Sequence, residues 1–247
     1  MLGKAQAKYI QSLSHKKFRD EENLFIAEGP KIAAEILQEK PHAVKQIYAL
    51  DEWLIKNKNL VKNIDATAIT PVNENELERI SQLSTPNQVL LLVEKFSIDD
   101  NIDLNKELVI MLDAIQDPGN LGTIIRIADW FGVKHIICSA DCADAYNTKV
   151  IQSTMGSIMR VNVLYKDLPA FLKLQKNVRI YAAVLEGTPI QKLSGEHTGI
   201  LLIGNESKGI SEELLQLANK KITISKKGNA ESLNAAVATG IILSHLI

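Results

Sequence analysis

The chain has 247 residues, 46% of them hydrophobic and 23% charged, and a formal net charge of −1 at pH 7. This balance is typical of a globular protein that buries a substantial core. The longest apolar runs, such as residues 89–93 and 200–203, are far too short to cross a membrane, and residues 1–14 lack the apolar segment of a secretory signal. We therefore expect a cytoplasmic protein.

The first predicted element is a basic helical segment over residues 3–21, formed by one or two helices. Positive charges are concentrated before Asp20, where acids are few: Lys4, Lys8, Lys16, Lys17 and Arg19. A whole-chain charge near zero can conceal such a local basic face. On charge alone a solvated helical terminus is favoured, and an RNA contact needs support from the rest of the chain.

Strand and helix patterns then alternate as far as residue 97. Pro30 is well placed as the first residue of a helix that continues over residues 31–39. Strands are predicted at residues 24–27, 44–50, 66–70 and 88–94, and a helix at residues 73–81. Residues 1–97 are therefore predicted to form a small α/β domain.

A polar and acidic stretch, residues 98–107, is predicted to link this domain to a second one, residues 108–247. The second domain has predicted strands at residues 108–112, 135–138, 180–184, 199–203 and 221–224, and a helix at 121–131. Such alternation implies a mainly parallel sheet with helices on both faces. The last helix, residues 233–247, is apolar nearly all round, so we expect it to be buried.

The two cysteines, Cys138 and Cys142, are expected to be reduced structural thiols. They could form one disulfide, but nothing else in the sequence indicates secretion. A zinc site would need two further ligands, and His135 is the only obvious neighbour. We therefore predict no metal site.

Three loops that follow predicted strands carry unusual residues, and ligands of parallel sheets bind at such loops. In the first, residues 113–128, a turn at Asp117 and Pro118 precedes Asn120, a favourable N-cap for the next helix. Arg126 lies in an apolar part of this helix, so its guanidinium either reaches water or has a partner. The alternative is a capped helix with an ordinary surface arginine.

The second loop, residues 204–211, has Gly204 and Gly209 at positions where the backbone can approach a ligand. Its spacing resembles a phosphate-binding loop, but Ile210 stands at the required lysine position, which excludes ATP binding there. Glu206 is either a solvated acid or a neighbour of a cationic substrate. Ser211 is suited to cap the following helix.

The third loop, residues 224–234, places two polar residues, Ser232 and Asn234, at the start of the apolar last helix. Helix capping explains one of them but not both. Each of the three loops is weak evidence when taken alone.

Taken together, the loops resemble the three motifs of the SpoU (TrmH-like) family of RNA 2′-O-ribose methyltransferases, in the SPOUT superfamily. The resemblance spans residues 113–247 and is carried by Asp117-Pro118-x-Asn120-x-Gly122-x-x-x-Arg126, Gly204-x-Glu206-x-x-Gly209 and Ser232-Leu233-Asn234. The N-terminal part resembles, more loosely, the substrate-binding domain of ribosomal RNA methyltransferases, through Leu13-Ser14, Lys16, Lys17, Arg19 and Glu28-Gly29. Many relatives have proline where Ser225 stands here.

The resemblance implies an α/β fold: a trefoil-knotted, mainly parallel sheet with helices on both faces, preceded by a smaller α/β (L30e-like) domain. Residues 1–97 would be the RNA substrate-binding domain, 98–107 a linker and 108–247 the knotted SpoU methyltransferase catalytic domain. Catalytic domains of this family pair as homodimers.

The resemblance also implies transfer of a methyl group from S-adenosylmethionine to a ribose 2′-hydroxyl, with no metal. The implied cofactor contacts are Val184, Leu185, Gly204, Glu206, Ile224, Leu233 and Asn234. The implied catalytic residues are Arg126, which would activate or orient the hydroxyl, and Asn120, Glu206, Ser232 and Asn234 around it. The implied RNA contacts are Lys16, Lys17, Arg19 and Arg126.

Ribosomal RNA is the favoured substrate because the extra N-terminal domain resembles that of ribosomal enzymes. A transfer RNA 2′-O-methyltransferase is the alternative within enzymes, and a non-catalytic RNA-binding module is the alternative outside them. A dinucleotide-binding enzyme is disfavoured because no Gly-x-Gly-x-x-Gly follows any predicted strand.

Overall fold

A computed structural model of the chain describes residues 2–193 and 198–247. Its helices are α1 (Lys4–Ser12), α2 (Lys16–Glu22), α3 (Pro30–Glu39), α4 (Asp51–Lys56), α5 (Lys58–Val61), α6 (Glu74–Ile80), α7 (Pro118–Trp130), α8 (Thr148–Thr154), α9 (Leu168–Lys173), α10 (Glu212–Leu217) and α11 (Ala235–Leu246). Its strands are β1 (Leu24–Glu28), β2 (Val44–Ala49), β3 (Ile69–Pro71), β4 (Val89–Glu94), β5 (Leu108–Leu112), β6 (His135–Cys138), β7 (Asn162–Tyr165), β8 (Ile180–Pro189), β9 (Gly199–Ile203) and β10 (Lys220–Thr223).

These elements divide into two compact units. The first unit contains Met1–Ser97 and Tyr146–Met159, and the second contains Ile98–Ala145 and Arg160–Ile247. The predicted boundaries place the segment around α8 with the catalytic residues, whereas in the structure it packs in the first unit. A hydrogen bond attaches this segment to the first unit: Gln152 Nε2 on α8 donates at 2.6 Å to the carbonyl of Glu28 at the end of β1.

The first unit is a small α/β sandwich around a sheet with the strand order β1-β4-β2-β3. Strand β4 pairs antiparallel with both β1 and β2, and β3 is added in parallel to β2. Helix α3 begins at Pro30, as predicted, and α6 has a complete capping box between Asn73 and Glu76. The predicted strand at residues 66–70 is shorter than expected, because a 3-10 turn at Ala66–Ala68, capped by Asp65, precedes β3.

The second unit contains a sheet with the order β10-β8-β9-β5-β6-β7, and all its neighbouring strands are parallel. On β5, Met111 and Leu112 are both fully buried although they point to opposite faces. The sheet is therefore covered on both sides, with α9 and α10 on the face of Met111. The predicted mainly parallel α/β fold is confirmed, and the trefoil knot stays a prediction.

The last helix, α11, is only partly buried, which corrects the expectation of a wholly buried helix. The helix packs against α7, with Gly240 next to the side chain of Ile127, and Ala236 and Leu243 are buried, whereas Val237 is 50% exposed. A helix that is apolar on all sides can be buried, but its composition does not show which side packs against the rest of the protein. Within residues 2–193 and 198–247, no helix is long and apolar enough to cross a membrane.

Candidate active site at the carboxyl ends of the strands

Strands β5 and β9 are neighbours in the sheet, so the first and second loops leave the same edge. Leu112 pairs with Ile203 at the ends of the two strands, and the amide of Asp113 donates to the carbonyl of Ile203 at 2.9 Å. The carboxylate of Asp113 then accepts the amide of Ser211 at 2.7 Å. Asp113, at the start of the first loop, is therefore hydrogen-bonded at both ends of the second loop.

Ala114 is held in a left-handed backbone conformation, with φ of 55°. A residue with a side chain pays about 1–2 kcal/mol for this conformation. Its amide donates to Ser139 Oγ at 2.9 Å, and its carbonyl accepts from Asn205 Nδ2, also at 2.9 Å. Contacts on both of its peptides thus hold the strained turn, which is the usual setting for strain near a functional site.

Helix α7 begins earlier than predicted, and its N-cap is Asp117 rather than Asn120. The carboxylate of Asp117 accepts the amide of Asn120 at 2.8 Å, and Pro118 occupies the first helical position. Proline is preferred there because its ring has the φ of a helix and it has no amide to satisfy. The side chain of Asn120 is therefore not needed for capping.

Asn120 instead joins the three loops in one hydrogen-bonded network. Its Nδ2 donates to Glu206 Oε1 of the second loop in a short contact, and its Oδ1 accepts from Asn234 Nδ2 of the third loop at 2.7 Å. These residues lie 86 and 114 positions from Asn120 in the chain. The structure thus brings three of the five predicted catalytic residues into contact.

Asn234 has a second function, which is to cap α11. Its Oδ1 accepts the amides of Ala236 at 3.0 Å and Val237 at 3.2 Å. Ser232 is exposed and has no hydrogen bond to any residue in the described part of the chain. Capping therefore explains Asn234, and Ser232 is left with its hydroxyl facing solvent.

Arg126 lies in α7 outside this network. The residue is exposed and makes no hydrogen bond or ion pair within residues 2–193 and 198–247, while its neighbours Ile124 and Ile125 are fully buried. An α-helix turns by about 100° per residue, and Arg126 follows Asn120 by six residues. The two side chains therefore leave the helix in directions about 120° apart. Asn120 and Arg126 thus point in different directions from α7, and no hydrogen bond joins them among the described residues.

The predicted cofactor contacts Val184 and Leu185 lie where β8 leaves its ladder with β10. Pairing shifts from Tyr181 and Ala182 to Thr188 and Pro189, so residues 183–187 stand out of the ladder. Leu185 is 73% exposed, and its carbonyl accepts Thr223 Oγ1 at 2.9 Å. This segment therefore presents an apolar side chain at the edge of the sheet where β10 ends.

The third loop presents unpaired backbone groups beside apolar side chains. Residues 225–233 are exposed and form no backbone-to-backbone hydrogen bond with any described residue. Ile224 is half-buried and Leu233 is 46% exposed. Free amides and carbonyls beside the exposed side chain of Leu233 suit a flat heteroaromatic ligand with polar edges, which is the chemistry of an adenine ring.

Position 204 needs a glycine because the backbone of Gly209, at the other end of the second loop, passes very close to it. A Cβ at this position would lie 2.3 Å from the carbonyl carbon of Gly209, and Asn205 and Gly209 exchange backbone hydrogen bonds of 3.1 and 2.8 Å. The loop is therefore closed tightly, with Glu206 at its tip. Any larger residue at position 204 would clash with the backbone of Gly209 and Ile210 and so disturb the loop that carries Glu206.

Cys142 lies beneath the first loop. Its sulfur accepts the amide of Ile115 at 3.2 Å, and its thiol donates to the carbonyl of Leu112 at 3.4 Å. Hydrogen bonding with Cys138, followed by contacts with Ser139 and Ile115, lowers the pKa of Cys142 to about 7 against the opposing effect of burial. Both cysteines are free thiols, and the described residues contain no cluster of three His, Cys, Asp or Glu side chains that could hold a metal.

The predicted RNA contacts of the first unit differ in their exposure. Lys16 and Lys17 are exposed and pair with Asp20 at 3.0 Å and Glu21 at 3.8 Å, in surface ion pairs that are weak and exchangeable. Arg19 is only 2% exposed, and its Nη1 donates to the carbonyls of the loop after α1. Its guanidinium is used within the fold, so the predicted contact between Arg19 and RNA is not supported by its position.

Sequence reasoning did not identify three residues that hold the site together: Asp113, Ser139 and Asn205. Asn205 stands between Gly204 and Glu206 of the second motif, and an asparagine directly after a buried strand is a usable signal for a side chain that bonds backbone. Asp113 likewise follows β5 at once. Ser139 likewise follows β6 at once, but its contact with Ala114 depends on the pairing of β5 with β6.

Comparison with known proteins covers both units. The model of the SpoU rRNA Methylase family matches residues 107–244, and that of the MRM3-like substrate binding domain matches residues 4–91. The chain is 32% identical over 239 residues to a 23S rRNA (guanosine(2553)-2′-O)-methyltransferase of Bacillus subtilis, covering 96% of this chain and 93% of the relative.

A crystal structure of an AdoMet-bound rRNA methyltransferase from Sinorhizobium meliloti is similar over 100% of this chain and 95% of that chain, with a TM-score of 0.85 and 30% identity. A tRNA (guanosine(18)-2′-O)-methyltransferase of Aquifex aeolicus is 32% identical over 144 residues, which cover 56% of this chain and 67% of the relative. By its motifs, its sheet and these matches, the chain belongs to the SpoU rRNA methylase family.

Proposed function

We propose that this protein transfers a methyl group from S-adenosylmethionine to a ribose 2′-hydroxyl of ribosomal RNA, in the cytoplasm. The observation that carries the proposal is the contact of Asn120, Glu206 and Asn234, which joins three loops at the carboxyl edge of a parallel sheet. Similarity along nearly the whole chain to a relative named for 23S rRNA supports ribosomal RNA, whereas the transfer RNA relative matches little more than half of it.

The residues of this edge fit the cofactor. Leu185, Ile224 and Leu233 provide apolar surface, and the unpaired backbone of residues 225–233 provides donors and acceptors for the adenine and amino acid parts. Glu206 adds a half-buried carboxylate, which favours a positively charged ligand. S-adenosylmethionine supplies, when bound, a methyl group on a positively charged sulfur.

Arg126 is the residue that we assign to the RNA side of the reaction. A guanidinium is a donor of hydrogen bonds with no acceptor, so we assign it to orienting the ribose and its phosphate rather than to removing a proton. Correct placement of two reactants can supply about 7–11 kcal/mol of a barrier. An exposed arginine with no hydrogen-bond or ion-pair partner among the described residues is available for such a contact.

Pairing of two second units as a homodimer belongs to the same proposal. Trp130 at the end of α7 is 85% exposed and Val237 on the adjacent α11 is 50% exposed, so apolar surface is present on two helices that pack together. Sedimentation analysis of the purified chain tests this: we expect a dimer, and dissociation in Trp130→Glu. A monomer at micromolar concentration would contradict the dimer without affecting the assigned chemistry.

The function is tested by incubating the purified chain with methyl-labelled S-adenosylmethionine and each class of RNA. We expect label in ribosomal RNA at a 2′-O-methyl site that resists alkaline cleavage. Label in transfer RNA alone would favour the transfer RNA alternative, and absence of cofactor binding in calorimetry would favour a non-catalytic RNA-binding module. Gly204→Ala should weaken cofactor binding, whereas Gly3→Ala, where a Cβ meets open space, should leave it unchanged.

A further inference from the structure

The first unit contains a cavity of about 480 Å³ that is lined mostly by polar residues, none of which belongs to the three loops described above. Its walls come from the loop after α1, the loop after α6 and the start of α8, through Ser14, Gln82, Ser84, Asn147, Thr148 and Lys149. We propose that this cavity receives one unpaired RNA nucleotide, with Gln82 contacting the base and Lys149 contacting a phosphate. The proposal rests on the proposed function, since it concerns how the same RNA is recognised.

The wall formed by the loop after α6 is built on a buried carboxylate. Glu28 is 2% exposed, and its two oxygens accept Ser81 Oγ at 2.5 Å and the amide of Gln82 at 2.8 Å. Its backbone carbonyl accepts from Gln152 on α8. One residue therefore fixes the positions of two walls, so the cavity is formed before any ligand arrives.

The wall formed by the loop after α1 is fixed by Arg19. Its Nη1 donates to the carbonyls of Leu13 at 2.8 Å and Ser14 at 2.7 Å. Leu13 is fully buried in the core of the first unit, which anchors the turn from below. Ser14 is thus held at the mouth of the cavity, and the exposed Lys16 and Lys17 follow it at the start of α2.

The amide of Gln82 has one of its two groups unused. Its Oε1 accepts a short hydrogen bond from the hydroxyl of Thr148, so that one of the two amide groups has a partner. Its Nε2 is buried and has no hydrogen-bond partner within residues 2–193 and 198–247. A buried donor without an acceptor is rare and unfavourable, so it points to an acceptor that a ligand supplies.

The lining chemistry favours a nucleotide over a small anion or a peptide. The described lining residues are amides, hydroxyls, one cation and the apolar Leu83, and none is a carboxylate. Asparagine and glutamine are the side chains that pair with base edges, and RNA is read at single-stranded positions whose bases are turned out. The volume lies in the range of about 300–1,000 Å³ that holds small molecules.

The test uses the full-length protein and two substitutions in the cavity. Gln82→Glu keeps the acceptor for Thr148 but removes the unpaired donor, and Lys149→Gln removes the cation. Both should weaken binding of 23S ribosomal RNA, measured by filter binding, about tenfold and raise KM, while kcat and S-adenosylmethionine affinity stay at wild-type values. Lys58→Gln, an exposed lysine in the same unit and away from the cavity, is the matched control and should change nothing.

Wild-type RNA affinity in both variants, equal to that of Lys58→Gln, would overturn the proposal. Titration of the four nucleoside monophosphates against inorganic phosphate provides a second arm: chemical-shift changes at Gln82 with the nucleotides but not with phosphate support base contact. Equal changes with phosphate would overturn nucleotide recognition and leave an anion site. If the wild-type protein transferred no methyl group to RNA, the proposed function would be contradicted instead. RNA binding is measured separately, so the two failures can be told apart.

Discussion

Arg19 in the first unit and Arg126 in the second carry the same guanidinium in opposite settings. Arg19 is 2% exposed and donates to two backbone carbonyls, whereas Arg126 is exposed and has no polar partner among the described residues. A charge can be buried only if its donors are satisfied, so Arg19 contributes to the fold. An exposed charge without a partner adds little to stability and is available to a ligand.

The comparison extends to other polar side chains of the two units. In the first unit, Glu28 and Gln82 are held by buried contacts that shape a cavity within one compact unit. In the second unit, Asn120 and Asn234 join loops that are distant in the chain and remain partly open to solvent. The first arrangement is expected to fail by loss of stability, and the second by loss of ligand binding or activity.

The largest expected effect follows from replacing Arg126. Arg126→Ala should reduce kcat for methyl transfer about 1,000-fold, as removal of a preorganised donor does in other enzymes. Its free energy of unfolding should change by no more than about 0.5 kcal/mol, because the side chain is exposed. Single-turnover kinetics and urea denaturation measure the two quantities. A comparable loss of cofactor affinity, with the fold intact, would show that the residue has a different role.

Arg19→Ala should show the reverse pattern. Loss of its charged hydrogen bonds to Leu13 and Ser14 should lower the free energy of unfolding by about 3 kcal/mol. Cofactor affinity should stay close to that of the wild type. Lys17→Ala on the same helix is the matched control and should cost less than about 0.5 kcal/mol, because its ion pair is exposed. Equal effects of the two substitutions in urea denaturation would contradict the structural role of Arg19.

Asn234 allows capping to be separated from the loop network. Asn234→Ala should destabilise the protein by about 1 kcal/mol through loss of the cap of α11, and it should also weaken cofactor binding. Asn234→Asp keeps a capping oxygen but loses the donor to Asn120, so it should weaken binding with little loss of stability. Calorimetry with S-adenosylmethionine and thermal unfolding measure both. Unchanged cofactor affinity in Asn234→Asp would argue against a role of the network in binding.

The smallest expected effect is a pH dependence of the free energy of unfolding that arises from Glu28. Burial raises the pKa of this carboxyl above its ordinary value, against the lowering effect of its hydrogen bonds with Ser81 and Gln82. The folded state therefore binds this proton more tightly than the unfolded state, whose carboxyl has a pKa of about 4.3. The resulting contribution to the free energy of unfolding is complete below that pKa and is lost as the pH rises through the higher pKa of the folded state. Relative to Glu28→Gln, the wild type should lose stability over this interval in urea denaturation. A constant difference across pH 4–8 would contradict the shift.

Much of the fold could be predicted from local patterns. The strands of the second unit are short apolar runs between polar loops, and Pro30 marks the start of α3 because proline fits only a few backbone positions. The start of α7 was placed too late because Asn120 is a good cap in isolation, while Asp117 before Pro118 is a better one. The position of α8 in the first unit could not be predicted, since its packing depends on Gln152 reaching Glu28.

By itself, the sequence determined which residue types stand at the ends of the strands, and its motifs identified the family. Tertiary structure alone decided that Asn120 bonds Glu206 and Asn234, that Arg19 is buried and that Gln82 keeps an unused donor. The physical reason is that strand and helix patterns follow local periodicity, whereas a hydrogen bond between distant residues depends on the pairing and packing of whole elements. Burial, which gives each polar group its role, exists only once those elements have packed.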